Sequence, residues 1–321
     1  MKLKNLLLAL PFLLLSVAAG AQPQSIVMIV ADDLRDQDIQ YLPSVQRLAA
    51  EGVRFTSAVT PYPLCTPSRV SLLTGLTPER HGAYVNDYRL IDPSWPTLGT
   101  RFKEHGWRTG VVGKFANNKL HGVPIPRYPG WDTWQVLVDH DDFGRDQTKV
   151  LANRGADFLR DCRTDQVNCF LYLAPAAPHG PNPGPVECDA VPVPPKPVGV
   201  SEVRWNQRLS SICGLNLMVE KILRQSPTWV IFLSDNGYAM SNGKLGKNEL
   251  LFDSVRVPLV VHGPGLVPQS REELVSLMDI HALALDLAGF AAPLGIDGKT
   301  MRPLLEGSTE RWLGRITIEA F

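Results

Sequence analysis

Two apolar rhythms alternate along the chain. Four short runs are apolar without polar alternation, and each stops at polar residues. Ser25–Ala31 ends at Asp32 and Asp33, and Thr109–Gly113 ends at Lys114. Phe170–Ala174 leads through Pro175 and Pro178 to His179, and Trp229–Leu233 through Ser234 to Asp235 and Asn236. Such runs suit strands buried on both faces. Between them, apolar residues recur at helical spacing. Ser44–Glu51 carries Val45, Leu48 and Ala49 on one face before Gly52, and Thr97–His105 carries Leu98 and Phe102 before Gly106. Gln147–Asp161 and Ser201–Leu223 are longer amphipathic stretches, and Met278–Leu287 precedes Gly289. The alternation predicts an α/β fold with a mostly parallel central sheet and helices on both faces. Ligands of such sheets gather beyond the carboxyl ends of the strands. The four polar endings are therefore expected to share one edge.

Cys65-Thr66-Pro67-Ser68-Arg69 opens another helical stretch, closed by Gly75. Proline is at home in a helix's first turn, where its missing N–H would be unpaired anyway, and glycine suits the position after the last turn. Cys65 is thus placed at a helix N-terminus, where free N–H groups and the dipole favour an anion. Arg69 adds a planar donor fork one turn in. A buried cysteine before an ordinary helix fits the same five residues.

Asp32, Asp33, Asp235 and Asn236 supply hard oxygen donors from two strand ends. That set suits Ca²⁺, or Mg²⁺ as second choice, and matches Zn²⁺ poorly. Lys114 and Lys247 are candidate cationic clamps. His179 sits in a proline-rich loop, and His81 reads as structural.

Composition narrows the classes. Lys+Arg and Asp+Glu both number 32, so nothing favours a nucleic-acid or anionic-membrane partner. Lys2 and Lys4 precede an apolar run, Leu6–Ala19, with small residues at Ala19-Gly20-Ala21. Residues 1–21 are expected to be a cleaved signal peptide, and no later segment reads as a membrane span. Export implies a secreted or periplasmic protein in which disulfides persist. Of the five cysteines, setting Cys65 aside leaves Cys162, Cys169, Cys188 and Cys213. Cys162–Cys169 with Cys188–Cys213 is the simplest pairing, and all three connectivities stay open.

Eight ordered blocks now bear on family. They are the Asp-Asp strand end, LAAEGVRFTSAVTPYPLCTPSRVSLLTG (48–75), PERHG (78–82), GVVGKFANN (110–118), LAPAAPHGP (173–181), SDNGY (234–238), KNELLFDSVRVPLVVHGPG (247–265) and DGKTMRPLLEG (297–307). Together they resemble the formylglycine-dependent type I sulfatases, nearest to the N-acetylglucosamine-6-sulfatase-like and arylsulfatase group. The resemblance implies an alkaline-phosphatase-like α/β sandwich, with a catalytic domain over 22–310 and the start of a truncated C-terminal subdomain over 311–321. It implies that Cys65 is oxidised to formylglycine, whose hydrate is the nucleophile, by a formylglycine-generating maturation enzyme. Asp32, Asp33, Asp235, Asn236 and modified Cys65 correspond to the family's Ca²⁺ ligands. Arg69, Lys114, His179 and Lys247 correspond to its sulfate-binding and acid/base residues. The implied reaction is hydrolysis of a sulfated small molecule or glycan.

Two departures stand out. Many members carry Lys-Trp-His where this chain has Lys114-Phe115-Ala116-Asn117, so a histidine that binds the nucleophile is missing and Asn117 is a candidate for its role. Ala239 follows Tyr238 where relatives often have histidine. The alternative readings are a phosphonate or phosphate ester hydrolase of the same superfamily, and a non-catalytic binder of sulfated glycans.

Overall fold

The computed structural model describes residues 22–320, apart from 121, 181–182, 241–244, 309–311 and 313. The expected signal peptide lies outside the described residues. The strands are β1 (Ser25–Ala31), β2 (Val53–Phe55), β3 (Ala58–Val59), β4 (Arg108–Gly113), β5 (Thr133–Val136), β6 (Cys169–Ala174), β7 (Trp229–Ser234), β8 (Leu259–His262), β9 (Gln269–Arg271) and β10 (Val275–Ser276). The helices are α1 (Pro43–Glu51), α2 (Cys65–Thr74), α3 (Pro78–His81), α4 (Leu98–Glu104), α5 (Gln147–Thr164), α6 (Glu202–Leu223), α7 (Phe252–Val255), α8 (Leu277–Leu287) and α9 (Arg302–Leu305). Eight strands form one sheet in the order β5-β4-β6-β1-β7-β8-β2-β9, while β10 pairs with β3 separately. From β5 to β7 all neighbours are parallel, and β8 is antiparallel to both β7 and β2.

The lack of polar alternation in the strands has a direct cause. Successive β1 residues enter different cores: Ile26, Met28 and Val30 pack with α2, α4 and α8 on one face. Val27, Ile29 and Ala31 pack with α1, α5 and α6 on the other. Strands β6 and β7 divide in the same way. The sheet is therefore sandwiched, and its parallel centre points the ends of β4, β6, β1 and β7 to one edge.

Helix ends follow local chemistry. The Thr97 side chain caps α4 and the Ser201 side chain caps α6. Gly75, at φ +73°, ends α2 in the left-handed region that glycine adopts without strain. All ten residues of α2 are buried, so this helix is core on every side rather than amphipathic.

One of the two simplest cysteine pairings forms and the other is corrected. Cys188 and Cys213 form a disulfide that ties the proline-rich excursion to α6. Cys162 and Cys169, in contrast, are buried free thiols. Ladder pairing of Cys169 with both Ser25 and Arg108 lets the sheet, not a bridge, set its direction. Residues 316–320 join neither sheet. The Glu319 N–H donates to the Pro61 carbonyl (3.0 Å), but Pro61 and Pro63 have no N–H with which to extend a ladder.

Candidate functional site

The site forms where four parallel strands end, and local backbone devices aim each group. At the end of β4, Gly113 has φ +107°, and a Cβ there would lie 2.0 Å from the Ala174 carbonyl oxygen. Only glycine allows β4 to close on β6 at this point, and the next residue is Lys114. At the end of β1, Asp33 has φ +66°, a conformation tolerated best by Gly, Asn and Asp. Its N–H donates to Asp235 Oδ1 (3.2 Å) and its carbonyl accepts from the Arg208 guanidinium (2.8 Å). The turn lets two consecutive carboxylates serve one site.

Asp32, Asp33, Cys65, Arg69, Lys114, Asp235, Asn236 and Lys247 lie together at this edge. Cys65 Sγ lies 3.3 Å from Asp32 Oδ1 and 2.7 Å from the Lys247 ammonium. Lys247 also bonds Asp33 Oδ1 (2.8 Å), and Lys114 Nζ bonds Asp32 Oδ2 (2.5 Å). Arg69, fully buried, donates through Nε to Asp235 Oδ2 (2.9 Å) and through a terminal nitrogen to the Lys114 carbonyl (2.9 Å) and the Tyr172 hydroxyl (3.2 Å). Asn236 donates to Asp33 Oδ1 (2.6 Å) and to the Gly237 carbonyl (2.7 Å).

The remaining predicted residue, His179, lies at the rim. Its Nδ1 bonds the Gly180 carbonyl (2.8 Å), and its Nε2 is 3.7 Å from Asp33 Oδ2. A carbonyl only accepts, so Nδ1 carries the proton and Nε2 is the nitrogen that faces the carboxylate.

Charge decides the ionisation states. Burial would raise the Asp32 carboxyl, but Lys114, His179, Lys247 and Arg69 outweigh it and hold it well below the usual range. Asp235 goes the other way, raised by burial despite Arg69. Burial, with Asp32 beside it, pushes the Cys65 thiol up, so an unmodified sulfur here is a neutral thiol. Burial works against a charged Lys247, yet Asp33, Cys65, Asp32 and Asp235 keep it well above the usual lysine value.

Ligand atoms of Asp32, Asp33 and Cys65 lie within 4.8 Å of one another. Beside them, Asn236 Oδ1 is buried with no hydrogen-bond partner among the described residues. An orphaned carbonyl-type oxygen costs about 1–3 kcal/mol unless something accepts its lone pairs. A hard divalent cation is such a partner, so the donor set fits one. Asp235 is more fully engaged, since Oδ1 accepts from the Asp33 and Asn236 N–H groups while Oδ2 meets Arg69.

Sequence reading missed four contributors. His140 stacks on His179 with ring centroids 4.6 Å apart, and its Nε2 lies 3.9 Å from Asp32 Oδ2 and 3.5 Å from the Asn117 amide nitrogen. Lys114, then burial, push its pKa down to about 2, which keeps it neutral. Tyr172, inside an apolar strand run, turns its hydroxyl to Arg69 (3.2 Å). Arg204 and Arg208, on α6, line a cleft of about 480 Å³ that opens over Asp33, His179 and Lys247. Asn117, the candidate for the missing histidine's role, bonds Thr66 Oγ1 through its N–H (3.0 Å) and so sits beside residue 65.

Comparison with known proteins decides the lineage. The family described as Sulfatase matches residues 24–290. The chain belongs to the sulfatase family. Among curated sulfatases it is 26% identical to an extracellular sulfatase SULF-1 homolog of Drosophila melanogaster, covering 90% of this chain and 32% of that protein. It is 28% identical to an N-acetylgalactosamine-6-sulfatase of Canis lupus familiaris, covering 94% and 70%. It is 25% identical to the N-acetylglucosamine-6-sulfatase of Homo sapiens, covering 94% and 67%. The chain thus spans about a third to a half of the length of the first-matched extracellular sulfatase homologues. Identities of 24–28% do not separate the two 6-sulfatase groups.

Solved structures agree on the fold. One from work on glycosaminoglycan metabolism by Bacteroides thetaiotaomicron superposes with TM-score 0.76 at 18% identity, covering 92% of this chain and 78% of that one. The phosphonate monoester hydrolase of Silicibacter pomeroyi superposes with TM-score 0.69 at 17% identity, covering 90% and 78%.

Proposed function

We propose that this sulfatase-family chain hydrolyses the sulfate ester of a sugar, with residue 65 as formylglycine and Ca²⁺, or Mg²⁺ as second choice, beside it. The observation that carries the reading is the setting of Cys65. It opens a wholly buried helix with an Asp32 oxygen at 3.3 Å and the Lys247 ammonium at 2.7 Å. A structural cysteine needs none of these charges, and burying them costs several kcal/mol per ion before pairing offsets it. Relatives named as hexosamine 6-sulfatases support a 6-O-sulfated amino sugar as the substrate.

Asp32, Asp33, Asp235, Asn236 and residue 65 would hold the cation. When bound, the cation polarises a sulfate oxygen and the aldehyde hydrate supplies the attacking hydroxyl. The other residues act by position and charge. Arg69 and Lys114 compensate the buried carboxylates and keep them aimed at residue 65. Lys247 holds a fixed positive charge where sulfate oxygens develop negative charge. His179, whose Nδ1 proton is committed to the Gly180 carbonyl, takes up and hands on a proton at Nε2 for the leaving alcohol. This reading implies export and a formylglycine-generating partner.

The likeness to a phosphonate monoester hydrolase supports a second reading, phosphonate or phosphate ester hydrolysis. One experiment separates them. The chain is produced in a host with the maturation enzyme, and the peptide carrying residue 65 is weighed. Sulfate, phosphate and phosphonate esters of one alcohol are then compared. Aldehyde at residue 65 with preference for the sulfate supports the proposal. Preference for phosphorus esters supports the second reading. Ligand binding without turnover, with residue 65 oxidised, supports a binder. An unmodified thiol from a competent host sinks the mechanism.

A further inference from the structure

The cleft above the site is charged asymmetrically. Its floor is Asp33, His179 and Lys247, and one wall is the first two turns of α6, presenting Arg204, Gln207 and Arg208. Residues three and four apart on a helix share a face, so these three side chains form a single patch. Tyr238 and Met240 add apolar surface. Among the described residues Asp33 is the one acidic residue lining the cleft, and Lys247 already engages it at 2.8 Å.

The two arginines differ in kind. Arg208 is nine-tenths buried and packs its guanidinium 5.8 Å above the Tyr238 ring. One terminal nitrogen reaches Asp38, which Arg35 also binds, while Arg35 lies 3.9 Å from Asp253 as well. Arg208 Nε is buried with no hydrogen-bond partner among the described residues. Arg204 is exposed at the cleft mouth and makes no ion pair among the described residues. The wall therefore presents one cation with no ion pair among the described residues, Arg204, beside Arg208, which also donates to the Asp33 carbonyl (2.8 Å) at the cleft floor. Guanidinium forks match carboxylate and sulfate geometry, and a buried unpaired donor favours a ligand that supplies an oxygen.

We infer that this wall reads a second anionic group on the substrate. The preferred ester then carries, besides the sulfate at residue 65, another sulfate or a carboxylate directed at Arg204 and Arg208. The inference deepens the proposed sulfatase reading and rests on it. Tyr238 and Met240 would pack along the sugar ring between the two anionic ends. At about 480 Å³ the cleft falls within the range of small-molecule sites, large enough for more than the reacting group alone.

The test uses the matured full chain and three sugar sulfates. One is a monosulfate, one adds a second sulfate, and one adds a uronate carboxylate. The ratio of kcat/KM for each dianionic ester to that for the monosulfate should exceed about tenfold in the parent. It should fall at least about tenfold in Arg204→Ala and further in Arg204→Glu, a residue exposed enough that the fold survives. The preference should also shrink between 50 and 500 mM salt, because an exposed pair is screened. Whichever dianionic ester shows the effect identifies the second group. A parent with no preference, or a ratio unmoved within twofold in both variants, overturns the inference. Should the parent cleave none of the esters, the reading of the reaction fails separately, and calorimetric binding of the same sugars decides this one. Weaker binding of the dianionic sugar in Arg204→Glu supports it, and equal binding overturns it.

Discussion

His281 offers a pH experiment whose size follows from the structure. It lies on α8, fully buried against α2, the helix that begins at Cys65. Its Nδ1 is 3.2 Å from the Leu72 carbonyl, one of the last-turn carbonyls of α2 that has no helical partner. A carbonyl only accepts, so Nδ1 carries the proton, while Nε2 is buried with no hydrogen-bond partner among the described residues. Burial pushes the pKa down from 6.5 to about 4. In the fold the ring is neutral at pH 5, whereas in the unfolded chain it is mostly protonated. The unfolded state thus binds more protons, and stability falls as pH drops from about 6.5 towards 4. For these two values the loss at pH 5 relative to pH 7.5 is about 2 kcal/mol. His281→Asn keeps a short donor for Leu72 and removes the titration. Urea unfolding at pH 7.5 and 5.0 should show the parent losing about 2 kcal/mol more than the variant across that interval. His81, also lowered to about 4 by burial, adds a similar loss to both proteins and cancels in the difference. Asp32 and Asp38, held low by their cations, titrate below the interval. Equal pH dependence in parent and variant would refute the reasoning, whatever the variant costs at neutral pH.

Asn236→Ala removes the orphaned oxygen. The thermal stabilisation by saturating Ca²⁺, about 2.7 kcal/mol at a hundredfold excess over Kd, should then need at least about tenfold more metal, while unchanged titration curves in melting experiments would exclude Asn236 as a ligand. His179→Ala should slow sugar sulfates, with their poor leaving groups, far more than activated aryl sulfates. Equal losses would make His179 a sulfate binder and not the acid. His140→Phe keeps a flat ring against His179 and should stay within a fewfold of the parent, whereas His140→Ala should lose about tenfold or more in kcat on sugar sulfates, since misplacing a catalytic group by about 1 Å can cost 10²-fold. Equal rates in the two variants would show that the stack does not position His179.

The sheet centre was legible because burial on both faces erases polar alternation. A run such as Ser25–Ala31 then announces both the strand and its chemistry, Asp32 and Asp33, at the point where burial ends. Helix boundaries came within three residues, since Thr97, Ser201 and Gly75 carry their own capping signals. What escaped depends on contacts that no local pattern encodes. Whether Cys162 and Cys169 stay free thiols or form a disulfide is set by how α5 lies on β6, not by their spacing. Arg204 and Arg208 read as the polar face of an amphipathic helix until the cleft gives that face something to read.

His140 is the instructive omission, because the rule that found the other groups applies to it as well. Thr133–Val136 has four residues, none fully buried, and does not look like a buried strand. It nevertheless pairs in parallel with β4, Gly110 opposite Thr133 through Gly113 opposite Val136. Its carboxyl end therefore falls on the same edge as those of β4, β6, β1 and β7, and the chain runs on through Leu137, Val138 and Asp139 to His140. A half-exposed edge strand shows little apolar signal, yet parallel pairing alone fixes where its end points. Ala116 follows the end of β4, and the histidine stacked on His179 follows the end of its neighbour β5. An imidazole is present at this edge although residue 116 is alanine, and it arrives through β5 instead of β4.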